Sequence, residues 1–117
     1  MKRIYDAPSS DDGWRVLVER LWPRGVSKDA AHLDAWEKRV APSDALRKWY
    51  GHDPAKWDEF QRRYERELES EEAREALDEL ARRARRGRVT LLYASRAGEI
   101  SNAAVLLRLL SKRARRH

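Results

Sequence analysis

The 117-residue chain carries 26 Lys or Arg against 20 Asp or Glu, a formal charge of +6, and has no cysteine. That length supports one domain around one core, and the missing cysteine excludes disulfides, thiolate catalysis and thiolate zinc sites. No run approaches the roughly 20 apolar residues that a membrane span needs, and Met1-Lys2-Arg3-Ile4-Tyr5-Asp6 lacks a signal-peptide apolar region, so a soluble, cytoplasmic protein is expected.

Residues 2–5 read as a short first strand. Ser9-Ser10-Asp11-Asp12-Gly13 is a turn by composition, because Asp and Ser side chains bond the local backbone and Gly permits positive φ. A strand over 14–21 follows, and Val16-Leu17-Val18 is apolar on consecutive positions, the pattern of a strand covered on both faces. Pro23 has no amide hydrogen and fixes its own φ, so the ladder should stop near Trp22. Gly25 allows a sharp exit, which leaves the Arg24 guanidinium on a stiffened backbone at the end of a core strand.

Between Gly25 and Val40 the pattern is thin; Leu33-Asp34-Ala35-Trp36 is read as a strand rather than a short helix. Ser43 is an N-cap for a short helix with Leu46, Trp49 and Tyr50 on its apolar side, and Gly51 ends it. Asp53-Pro54 opens a further helix, an acceptor followed by proline at the first helical position. Trp57, Phe60, Tyr64 and Leu68 recur along it at helical spacing. Ser70 opens the next, with Glu71 and Glu72 in its first turn and Ala76, Leu77, Leu80 and Ala84 as its inner face; Gly87 closes it. Residues 88–94 are the second clear strand, and Ser101 to Arg113 is the last helix. Strand, helices, strand, helix is the order of a right-handed crossover between parallel strands. The expectation is an α/β, small single-domain layered fold over residues 1–117, with a short mostly parallel sheet flanked by helices.

In such sheets, ligands sit outside the carboxyl ends of the strands. The first clear strand delivers Arg20, Trp22 and Arg24 there. The second delivers Ser95 and Arg96, followed by Ser101 and Asn102 at the start of the last helix. If the strands are parallel neighbours, both corners open on one rim, where guanidiniums and helix amides suit phosphate or carboxylate and Trp22 offers a flat wall for a base. Each residue has a plainer reading as well: Arg20 in a structural pair, Arg24 in a solvated turn, Trp22 in the core. His52 beside Asp53 has the form of a base and its orienting carboxylate, although capping already accounts for Asp53; Glu99 is the other acid–base candidate. No histidines lie at metal-ligand spacing, so no metal site is expected, and the sequence leaves any cofactor unknown.

Charge is uneven along the chain. Residues 1–60 balance at 11 basic and 11 acidic, 61–80 hold 4 against 8, and 81–117 hold 11 against 1. Arg82, Arg83, Arg85, Arg86 and Arg88 raise a nucleic-acid reading, against the simpler one of cations at a helix C-terminus. Residues 112–117 read as a solvated, fraying end. Residues 43–69 resemble a helix-turn-helix, but Asp58 and Glu59 would face the phosphates, so that motif is rejected.

Tyr5-Asp6, the run Asp12-Gly13-Trp14-Arg15-Val16-Leu17-Val18-Glu19-Arg20-Leu21-Trp22-Pro23-Arg24-Gly25, then Lys28, Trp36, Ala41-Pro42-Ser43, Leu46-Arg47, Gly51-His52-Asp53-Pro54, Trp57 and Leu91-Leu92-Tyr93-Ala94 together resemble the YeaO-like branch of the DUF488 family, a family without an established activity. The resemblance implies an α/β fold. After the late strand the family pattern has an aspartate and then Glu-His-Asn, where this chain has Ala97, Glu99, Ile100 and Ser101; only Glu99 fits. Arg20, Trp22, Arg24 and His52 keep the pattern. Binding of a phosphate-bearing small molecule or nucleotide at the strand ends is therefore the leading expectation. An enzyme acting on nucleotides or nucleic-acid bases through His52 or Glu99, and a nucleic-acid-associated protein using the basic terminal third, are the alternatives.

Overall fold

A computed structural model describes residues 1–115. Four strands, β1 (Lys2–Arg3), β2 (Trp14–Leu17), β3 (Ala35–Trp36) and β4 (Val89–Tyr93), form one sheet in the order β1-β4-β2-β3. Every pairing is parallel. The helices are α1 (Lys28–Ala31), α2 (Asp44–Tyr50), α3 (Trp57–Glu67), α4 (Glu71–Arg86) and α5 (Asn102–Arg115). The α/β class and its layering agree with expectation, and the sheet is parallel throughout.

The centre of the fold is the β2–β4 pair, in which Trp14, Arg15, Val16 and Leu17 lie opposite Val89, Thr90, Leu91 and Leu92. Side chains alternate across a strand, so Val16, Val18, Leu91 and Tyr93 enter one core with Phe60, Tyr64, Leu77, Leu80 and Leu106 from α3, α4 and α5. Leu17 and Leu92 point the other way, into a smaller cluster with Ile4, Ala31, Trp22 and Trp36. Consecutive apolar residues on both strands are thus used on both faces, as parallel sheets require.

Several boundaries differ from the sequence reading. β2 stops at Leu17, with one more ladder bond from Val18 N to Leu92 O, rather than running to residue 21. Beyond it the chain turns to follow side-chain demands: Arg20 reaches the Ala41 and Pro42 carbonyls, and Trp22 reaches that of Val26. β1 is limited to Lys2–Arg3. The Asp53-Pro54 start produces a single 3-10 turn before α3 takes over at Trp57. Ala84 is exposed; Ala73 and Ala81 share the inner face of α4 with Ala76, Leu77 and Leu80. The expected frayed end is helical through Arg115, and Arg113 pairs with Asp78, which ties α5 to α4; Arg116 and His117 lie outside the described residues.

At the amino-terminal edge, Arg15 is buried and bonds Asp12 together with the His32 and Ala31 carbonyls. Loss of water works against ionisation of Asp12, but the Ser9 N–H, Lys2 and Arg15 outweigh it and hold the carboxyl below its ordinary range. At the opposite edge, Asn102 donates from Nδ2 to the Val18 carbonyl at 2.7 Å, pinning the start of α5 to the end of β2.

Two substitutions test this frame. Gly13 has φ +66°, and a Cβ there would stand 2.3 Å from the Arg88 carbonyl oxygen. Gly13→Ala should therefore cost roughly 1–3 kcal/mol from the dihedral alone, with the backbone contact adding to it, read as a lowered midpoint in urea unfolding. Asn102→Ala leaves the Val18 carbonyl without its donor and should cost about 1–3 kcal/mol in the same measurement.

Candidate functional site

Because β2 and β4 are parallel neighbours, the Glu19–Arg24 segment and the Ala94–Ser95 segment leave the sheet side by side. Two clefts open over this rim. The first, of about 400 Å³, is lined by Glu19, Arg47, Lys48, Tyr50, His52 and Asn102, with Pro42, Phe60, Ala94, Ser95 and Ser101 completing its wall. The second, of about 310 Å³, runs from Arg20 and Leu21 across Trp22, Pro23 and Arg24. Glu19, Arg47 and Ala94 border both, so the two clefts adjoin across the strand ends, and the pair is called the trough below.

The expected residues are distributed unevenly along it. Arg20 reaches the trough, but its Nε and Nη2 donate to the carbonyls of Pro42 and Ala41. Arg24 is exposed in the second cleft, and among the described residues its guanidinium has no partner. Trp22 borders that cleft, and its ring packs edge to face on Trp36, centroids 5.3 Å apart, in the smaller core cluster. Ser95 lines the first cleft, with Oγ accepting from Ala97 N and its carbonyl accepting from Arg3 Nε. Ser101 donates to the Gly98 carbonyl and accepts from Ala104 N, so it caps α5. Asn102 is committed to Val18. Arg96 and Glu99 are exposed and border neither cleft.

His52 lies at the mouth of the first cleft with a left-handed backbone, φ +57°, and its ring is 6.0 Å from that of Tyr50. Asp53 turns its carboxylate to Ala55 N as a cap, so the two neighbours do not form an acid–base pair. Tyr50 donates to the Ile100 carbonyl, and burial is the main reason its phenol is pushed up. Among the described residues no cluster of His, Asp and Glu is arranged to hold a metal ion.

Glu19, Arg47 and Lys48 are not among the site residues expected from sequence, although Glu19 and Arg47 lie in the family pattern. Arg47 pairs with Asp44 at 2.9 Å on the open side of α2. Glu19 Oε2 accepts from Ala94 N at 3.1 Å, and its backbone carbonyl accepts from Trp36 Nε1. Desolvation raises the Glu19 carboxyl above its ordinary value, against the opposing pull of the Ala94 N–H and the Arg47 charge. A signal for Glu19 was present: it sits one residue past the apolar run of β2, on the same rim as Arg20. The helical positions of Arg47 and Lys48 relative to that rim depend on packing and carried no such signal.

The basic segment of α4 lies at the other edge of the sheet. Arg83 stacks over Trp14 at 4.1 Å, and Arg82, Arg83 and Arg86 border a separate cleft with Glu37 and Glu79. Arg85 donates to the Arg113 carbonyl. No helix among the described residues is long and apolar enough to cross a membrane.

Comparison with known proteins agrees with this fold and motif set. A family model described as the inactive DUF488-N3 subclade matches residues 1–117. The chain is 46% identical over 111 residues to the uncharacterized protein Rv3073c of Mycobacterium tuberculosis, covering 95% of this chain and 92% of that one. It is 38% identical over 105 residues to the uncharacterized protein YeaO of Escherichia coli, covering 90% of each. No solved structure gave a significant match. With the model spanning its full length and the relatives aligned over nine-tenths of it, the chain belongs to the YeaO-like DUF488 family.

Proposed function

We propose that the protein binds a phosphate-bearing small molecule, a nucleotide in its general class, in the trough at the carboxyl rim, and does so without catalysing a reaction. The supporting observation is the charge of that trough: Arg20, Arg24, Arg47 and Lys48 border it, with Glu19 as its one carboxylate. Cations grouped around a concave surface raise the local concentration of anions and hold phosphate oxygens by charge-assisted bonds. Tyr50, Phe60 and Pro42 give the first cleft apolar walls beside the charges, the mixture typical of small-molecule sites.

Catalysis has less support. Among the described residues no carboxylate bonds His52, and Glu99 is exposed and outside both clefts. The matching subclade is described as inactive, which agrees with Ala97 and Ile100 standing where the family pattern has aspartate and histidine. The basic end of α4 is explained as cations at a helix C-terminus, one of them spent on Trp14, so nucleic-acid binding there gains no separate support.

Pyrophosphate and nucleoside monophosphates should raise the melting temperature in thermal-shift measurements. At a ligand concentration of about 100 times Kd the stabilisation is about 2.7 kcal/mol. Arg47→Ala and Lys48→Ala should each reduce the rise, and added salt should weaken it; no shift with any phosphate compound would overturn the reading.

Glu19 gives a second check. Its raised folded-state value means that the native protein holds the proton more tightly than the unfolded chain does. The ionised carboxylate therefore weighs against folding, a cost that appears as pH rises above the ordinary value of 4.5 and is lost as pH falls below it. Glu19→Gln should melt higher than the native chain near neutral pH, with the difference closing near about pH 4.

A further inference from the structure

Glu19 is out of place in a trough built for anions. Its backbone is held by Trp36 and its Oε2 by Ala94 N, so the carboxylate has a defined position. No cation forms an ion pair with it among the described residues; Arg47 acts on it only at longer range. Oε1 accepts from no described group and is not sealed from solvent, and Glu19 lines the cleft that Tyr50, Phe60 and Pro42 wall. An ionised carboxylate only accepts hydrogen bonds, and one that loses part of its water for a single N–H and no paired cation lowers stability. Removing Glu19 would make the trough a simpler anion site. Its presence there suits a ligand that brings a donor of its own.

We infer that Glu19 is a specificity residue: its free oxygen accepts an N–H from a nucleobase, so the trough takes nucleotides with a donor on the base edge in preference to bare sugar phosphates. This rests on the phosphate-binding reading of the same trough. Arg47 and Lys48 meet the phosphate, the apolar wall meets the ring, and Glu19 meets the ring's N–H. A hydrogen bond to a charged group contributes about 1.5–3 kcal/mol, which corresponds to a preference of roughly 10- to 160-fold.

Glutamine at this position makes the claim sharp. Ala94 N requires an oxygen opposite it, so in Glu19→Gln the amide oxygen stays there and the NH₂ group turns to the cleft. The cleft then presents a donor where it had an acceptor. Titration calorimetry would compare inosine monophosphate, whose base carries an N–H, with purine riboside monophosphate, whose base carries none, alongside ribose 5-phosphate and pyrophosphate. The native chain should bind inosine monophosphate about 10-fold or more tighter than purine riboside monophosphate. Glu19→Gln should reverse that order, because its NH₂ donates to the unprotonated ring nitrogen, while pyrophosphate affinity rises or stays constant. Equal affinities in the native chain, or an unchanged order in the variant, would overturn the inference and leave phosphate binding standing. Failure of the native chain to bind pyrophosphate or any of the nucleotides would overturn both. Arg47→Ala in the same series should weaken all four compounds together without altering the order of the two nucleotides.

Discussion

The in-register parallel pairing of β2 with β4 is the constraint on which the rest of the molecule depends. Both strands are apolar on consecutive residues, so neither can face water, and their pairing is held by cores on both sides. Parallel neighbours must also release their chains at the same edge. That brings Val18–Glu19 and Ala94–Ser95 together with no help from the loops. Two side-chain bonds then lock the rim, Asn102 to the Val18 carbonyl and Glu19 to the Ala94 N–H. The first fixes where α5 begins and the second fixes where the carboxylate lies. The trough is thus a product of the strongest part of the fold.

The parts of this arrangement that were legible in the sequence are those governed by local rules. Val16-Leu17-Val18 and Val89–Tyr93 declared buried strands by composition. Ser43, Asp53 and Ser70 declared helix starts, and each accepts from the backbone two or three residues ahead. The rim itself followed from the strand-end rule. What local rules could not show was where long polar side chains go once the chain has folded. Arg20 satisfies two carbonyls at the Ala41-Pro42 bend, a segment distant in sequence. Arg47 and Lys48 border the trough because α2 is docked through Leu46 and Tyr50 into the core shared with α3 and the sheet. The end of β2 belongs to the same class: the run of suitable residues continues past Leu17, yet Arg20 and Trp22 find better partners away from the ladder.

The two edges of the sheet show what burial does to a carboxylate with and without partners. Asp12 receives the Ser9 N–H, Lys2 and Arg15, and its carboxyl is held below the ordinary range. That cluster closes the amino-terminal edge and leaves no acceptor to spare. Glu19 receives a single N–H and is pushed toward its neutral form. A fold selecting only for stability would place a cation against it, and Arg47 is near enough to be felt yet pairs with Asp44 instead. The second edge therefore carries an unbalanced acceptor in a rim where Arg24 and Lys48 have no carboxylate partner among the described residues. Proteins retain such local imbalance where something else completes it. On the proposed reading the completing group brings negative charge to the guanidiniums and an N–H to the carboxylate, two demands that one nucleotide meets.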